Sequence, residues 1–110
     1  MELKYTPRTV NEIEVKSGNK PFYTLLDNVQ MQNLGLFVQK GMNLKTIEDA
    51  YDEMGNYFQN ENGDLQQLMV LIMKSLQSSG FLDRTKDLDL ELKKKLDLQN
   101  YTDAEVVTPK

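Results

Sequence analysis

Apolar residues recur along this chain three and four positions apart, in short blocks separated by turn residues, and each block spells one helix face. Thr6-Pro7 reads as an N-cap followed by proline at the first helical position, where its missing N–H costs nothing. Thr9-Val10-Asn11-Glu12 also spells a capping box. Val10 and Ile13 give a narrow stripe, and Ser17-Gly18-Asn19 stops it, which predicts a short helix over 7–16. Pro21 opens a second short segment to Leu26, with Phe22, Leu25 and Leu26 facing one way. A third runs from about Gln30 to Lys40, with Met31, Leu34 and Val38 on one face and Leu36 and Phe37 alongside. Apolar groups cover so much of its girth that a buried central helix is expected, ending at Gly41 as C-cap. Gly35 within it costs up to about 1 kcal/mol against alanine, so a neighbouring helix should press close there.

The fourth block is the most regular. Thr46 caps it, and Ile47, Ala50, Tyr51, Met54, Tyr57 and Phe58 share a face. Glu48, Asp49, Asp52 and Glu53 take the other, mostly in the first turns where the helix dipole favours them. After the turn Asn60-Glu61-Asn62-Gly63, Asp64 caps a fifth helix with Gln67 as its partner. Leu65, Leu68, Met69, Ile72, Met73 and Leu76 form the inner face, and Ser78-Ser79-Gly80 closes it. Phe81 and Leu82 can fold back on the last turn. The expected fold is therefore all-α, a single small bundle of about five helices over residues 1–83, with antiparallel packing across the 60–64 turn.

Residues 84–110 read differently, as a flexible or weakly helical tail. Leu88, Leu90 and Leu92 alternate as a strand would, while Leu88, Leu92 and Leu96 form an i, i+4 row. A weak or induced helix over about 87–98 is the favoured expectation, with 101–110 disordered. Its leucines, Leu88, Leu90, Leu92, Leu96 and Leu98, are the candidate partner-binding residues. Lys93-Lys94-Lys95, the only basic run, fits a solvated face better than a nucleic-acid patch.

Composition narrows the chemistry. The 110 residues hold no cysteine and no histidine. That removes disulfides, thiolate nucleophiles, cysteine zinc sites, the usual general base and the commonest metal ligand. A net charge of −4 argues against gripping phosphate backbones. The longest apolar run, Leu68 to Met73, falls far short of the roughly 20 residues a membrane helix needs, and the start lacks a signal-peptide pattern. The turn around Gly63 fails as a calcium loop, because its first and last ligand positions would be Phe58 and Met69. The acidic face of the fourth helix has no second carboxylate cluster to meet, and no phosphate-binding glycine loop is present. The expectation is a non-enzymatic cytoplasmic protein with no cofactor or metal and with no nucleic-acid or membrane partner. Met31, Met42, Met54, Met69 and Met73 fit core positions; any that prove exposed would mark a partner groove.

The order of these features resembles the small tail assembly chaperones of long-tailed phages and prophages of Gram-positive bacteria. The likeness runs over about residues 5–82. It is carried by Tyr5-Thr6-Pro7-Arg8-Thr9-Val10-Asn11-Glu12-Ile13-Glu14, Gly18-Asn19-Lys20-Pro21-Phe22-Tyr23 and Met31-Gln32-Asn33-Leu34-Gly35-Leu36-Phe37-Val38-Gln39-Lys40-Gly41. Ala50-Tyr51-Asp52 and Leu71-Ile72-Met73-Lys74-Ser75-Leu76-Gln77-Ser78-Ser79-Gly80-Phe81-Leu82 complete it. The resemblance implies a protein that coats the tape measure protein, keeps it soluble and helps recruit major tail (tube) protein subunits. It also implies action in the host cytoplasm and absence from the finished virion. Homo-oligomerisation would suit a coat of many copies. In that family a programmed frameshift often extends a minority of the product, and Lys93-Lys94-Lys95 could mark the slippery run. Two other classes fit a small acidic helical chain: a head–tail connector or tail-completion protein of the virion, and an acidic regulator such as an antitoxin.

Overall fold

The computed structural model describes residues 1–28 and 30–87. Its elements are α1 (Pro7–Lys16), α2 (Phe22–Asp27), α3 (Met31–Gly41), α4 (Ile47–Asn60) and α5 (Leu65–Ser78). The fold is all-α, as the periodicity predicts, and no strand occurs among the described residues. The expected helix over about 87–98 and the disorder beyond it lie outside these residues, apart from Asp87.

Side chains at the expected places start most of the helices. Asp64 Oδ1 accepts from the Gln67 N–H at 2.8 Å, and Gln67 Oε1 accepts from the Asp64 N–H at 3.1 Å, completing the box on α5. Thr46 Oγ1 accepts from the Asp49 N–H at 3.1 Å on α4. On α1 the cap is Thr6, as Thr6-Pro7 predicts, and the box spelled by Thr9 and Glu12 does not form. Thr6 and Thr9 exchange the two bonds, at 3.2 and 2.7 Å. Pro7 dictates this outcome, because it fits only the first turn and so places the cap at Thr6. Glu12 is then free to meet Lys40 of α3 at 2.8 Å. The proline before α2 offers no side-chain cap, and the Glu14 carboxylate of α1 accepts the Phe22 N–H at 2.9 Å instead.

Three helices end in the same left-handed motif, in which the two N–H groups past the cap bond back into the last turn. After α5, Gly80 (φ +94°) and Phe81 donate to Gln77 and Leu76 at 3.1 and 2.9 Å. After α1, Gly18 (φ +88°) and Asn19 do the same. After α3 the left-handed residue is Asn43 (φ +59°), not the expected Gly41, which stays helical. Gly41 serves close packing: a Cβ there would lie 2.8 Å from Tyr5 Oη and 3.0 Å from Leu3 Cδ2.

The core centres on α3, whose Leu34, Leu36, Phe37 and Val38 are all buried. It packs against α1, α4 and α5. Gly35 has its expected neighbour, since a Cβ would come 2.7 Å from Tyr51 Cε1 and 3.1 Å from Ile47 Cδ1 of α4. Across the 60–64 turn Tyr57 of α4 lines a hollow with Gln67, Val70 and Leu71 of α5, and α5 also packs against α3. Much of the circumference of α4 is exposed acid, whereas α3 offers apolar groups all round. Met31 departs from the expected α3 face and is 49% exposed. Ahead of α1, Leu3 and Tyr5 are buried as an irregular strap over the end of α3. The Tyr5 hydroxyl donates to the Phe37 carbonyl at 2.7 Å, and the two rings meet edge to face.

Candidate functional site: an apolar cleft between α2 and α5

The short α2 lies beside α5 with its buried Phe22 and Leu25 turned inward. Phe22 meets Phe81, just past the end of α5, with ring centroids 6.0 Å apart and planes at 79°. Leu25 and Leu26 reach Met69, Ile72 and Met73 in the middle of α5, with Leu34 of α3 as the floor. The two helices therefore run in opposite senses, and a shallow apolar cleft separates them. Leu26 and Met73 are half-buried on its rim, while Leu25, Leu34 and Ile72 are buried beneath. Met31 lies one turn before Leu34 on α3. Tyr23, stacked on Phe22 at 4.1 Å, is 58% exposed.

The methionines divide accordingly. Met54 and Met69 are buried and Met42 is half-buried, whereas Met73 is half-buried at the cleft and Met31 is exposed on α3. Unbranched thioether side chains such as these adapt their shape to an apolar neighbour.

The chain beyond α5 folds back onto the same helix. Gln77 Nε2 donates to the carbonyls of Asp83 and Lys86 at 2.8 and 2.9 Å. Arg84 donates to the Gln77 and Ser78 carbonyls at 3.4 and 3.3 Å. Asp83 Oδ1 accepts from the Thr85 N–H and hydroxyl at 2.9 and 2.7 Å. Those bonds hold its carboxyl below the usual range, the backbone bond contributing most. Glu12 is likewise lowered, first by its hydrogen bond to Lys40 and then by that lysine's charge.

A second, polar hollow lies where α4 begins. Lys16, Lys45 and Tyr51 stand around it, with the buried Gln39 in its wall. Gln39 Nε2 donates to the Leu44 and Lys45 carbonyls, and Gln39 Oε1 has no protein donor. The acids Glu48, Asp49 and Asp52 of α4 are exposed, and among the described residues no three acidic side chains converge as a metal site. No helix of the described residues is long and apolar enough to cross a membrane.

The sequence-derived partner-binding residues, Leu88, Leu90, Leu92, Leu96 and Leu98, lie outside the described residues, as does Lys93-Lys94-Lys95. The structure instead brings together Leu25, Leu26, Leu34, Met69, Ile72 and Met73. Leu26 and Met73 were legible as face residues, but their place on a rim depends on how α2 sits. The strap residues Leu3 and Tyr5 carried no periodic signal. Compared with protein-family models, curated proteins and solved structures, the chain gives no significant match.

Proposed function

We propose that this chain is a tail assembly chaperone. In this reading it binds apolar helices of a tape measure protein, keeps them soluble and helps recruit major tail (tube) protein subunits. It acts in the host cytoplasm, catalyses nothing and is left out of the finished virion.

One observation carries most weight. Three of the stretches that carry the resemblance, Gly18–Tyr23, Met31–Gly41 and Leu71–Leu82, supply the start of α2, all of α3 and the second half of α5. Those three pieces build much of the apolar cleft and its Phe22–Phe81 end. These stretches of the resemblance thus supply Leu34, Ile72 and Met73 of the cleft lining, apolar surface of the kind an amphipathic helix packs on. A tape measure helix presents apolar side chains at i, i+3, i+4 and i+7, the spacing such a cleft accepts. Left uncovered, long apolar stripes aggregate. Many bound copies, each with a net charge of −4, would also keep the complex in solution.

Co-expression with the product of the largest neighbouring reading frame tests the reading. A soluble complex of the two is expected. An insoluble partner with no complex recovered would remove the main support. Mass spectrometry of purified particles separates the competing class, since a connector would be found there and a chaperone would be missing.

A further inference from the structure

The polar hollow at the start of α4 is built by three helices: Lys16 ends α1, Leu36 and Gln39 come from α3, and Ile47 and Tyr51 from the first turns of α4. Its volume is about 420 Å³, within the range of pockets that hold small ligands. Lys16 and Lys45 line it with exposed side chains, and among the described residues neither forms an ion pair. The first N–H groups of α4, those of Ile47 and Glu48, have no acceptor among the described residues, because Thr46 caps only that of Asp49. Two lysines and a helix start would draw in any anion, whatever its shape. Gln39 makes the demand specific. It is 2% exposed, and its Nε2 donates to the Leu44 and Lys45 carbonyls at 3.4 and 3.2 Å. Turning the amide over would set its oxygen against those two carbonyls, so Oε1 is the remaining acceptor. Among the described residues Oε1 is the one buried side-chain N or O atom without a hydrogen-bond partner, and buried acceptors are as a rule satisfied.

From this arrangement we infer that the hollow is a binding site for a peptide carboxylate and the N–H beside it. The carboxylate sits with the two lysines at the start of α4, and the N–H donates to Gln39 Oε1. Leu36, Ile47 and the ring of Tyr51 line the rest, which suits an apolar side chain on the same residue. The C-terminal residue of a polypeptide carries all three groups in one unit. A glutamate or aspartate within a chain offers the same carboxylate and N–H on a longer reach. Glu48 also lines the hollow, and its negative charge disfavours a doubly charged ligand such as phosphate. None of these side chains belongs to the α2–α5 cleft, so the inference stands or falls apart from the chaperone reading.

NMR titration of the isotope-labelled full chain tests it. The probes are N-acetyl-glycyl-leucine, the same peptide as its carboxamide, N-acetyl-glutamate α-carboxamide and inorganic phosphate. The free acid should move the backbone amides of Ile47 and Glu48 and the side-chain amide of Gln39, and should saturate. Its carboxamide should bind about tenfold more weakly, having lost the charge-assisted bonds. The glutamate probe distinguishes the two sources: binding as tight as that of the free acid keeps the site and assigns it to acidic side chains. Equal binding of acid and carboxamide would overturn the proposal. So would phosphate binding as tightly as the peptide, which would leave a plain anion site, or shifts that spare the Gln39 amide. Lys45→Met changes an exposed side chain and should weaken the free acid about tenfold with the helices intact by circular dichroism. An unchanged affinity would contradict the site, and if that variant fails to fold the four titrations of the natural chain still decide.

Discussion

Replacing Tyr5 by phenylalanine should reverse the order of stability between neutral and alkaline solution. The Tyr5 ring is buried, and its hydroxyl donates to the Phe37 carbonyl inside the core at 2.7 Å. Phenylalanine keeps the ring and its edge-to-face contact with Phe37 while deleting that bond. The Phe37 carbonyl remains within the α3 ladder, so the expected loss near pH 7 is about 1 kcal/mol. Burial also pushes the phenol well above its ordinary range, because the phenolate would lose its hydration. The sign follows from proton counting. Below about pH 10 both folded and unfolded chains keep the proton, and the neutral phenol's contribution is intact. Above that value the unfolded chain releases a proton that the folded chain holds, and stability falls by about 1.4 kcal/mol per pH unit from Tyr5 alone. The variant lacks this term. Its disadvantage of about 1 kcal/mol should therefore vanish near pH 10.7, and beyond that it should be the more stable protein. Urea unfolding followed by far-ultraviolet circular dichroism at several pH values measures both curves. Parallel curves, with the same loss for both proteins above pH 10, would refute the reasoning.

Three further perturbations probe separate parts of the fold. Leu68→Ala removes a fully buried side chain of α5 and should cost about 2–5 kcal/mol in urea unfolding. Gly80→Ala places a Cβ at φ +94° and should cost about 1–2 kcal/mol, with the last turn of α5 exchanging its amide hydrogens faster. In a carboxyl NMR titration Glu12 should protonate at lower pH than an ordinary glutamate, and Lys40→Met should return it towards the usual range. Because the folded-state value is the depressed one, the stabilisation from this pair is present above the ordinary glutamate range. It is lost as the pH falls through the folded value.

The helix boundaries were legible because caps act locally. Thr46, and Asp64 with Gln67, satisfy backbone donors three residues away, so their meaning is contained in a few consecutive letters. The buried girth of α3 and the close approach at Gly35 were legible for a related reason, since both follow from side-chain size along one helix. What escaped depended on distant partners. The Thr6 cap before Pro7 was legible, but the second box spelled by Thr9 and Glu12 does not form, because Thr9 pairs with Thr6 and Lys40 takes the Glu12 carboxylate. Gly41 looked like a helix stop because glycine usually is one, whereas here Tyr5 and Leu3, more than thirty positions earlier, need the space. Tyr5 and Leu3 carry no period at all. The cleft was visible only as scattered methionines and leucines, since its existence depends on how α2 sits beside α5 over Leu34 of α3.

The most direct test of the proposed function combines partner capture with one change in the cleft. The full chain and a Leu26→Asp, Met73→Asp variant are each co-expressed with the tape measure candidate, and the soluble complex is quantified after affinity purification. Circular dichroism of the isolated variant checks that its helices persist. A stable complex with the natural chain, lost with the folded variant, is the expected result. Equal recovery with both chains, or no complex with either, would contradict the assignment of the α2–α5 cleft as a chaperone surface.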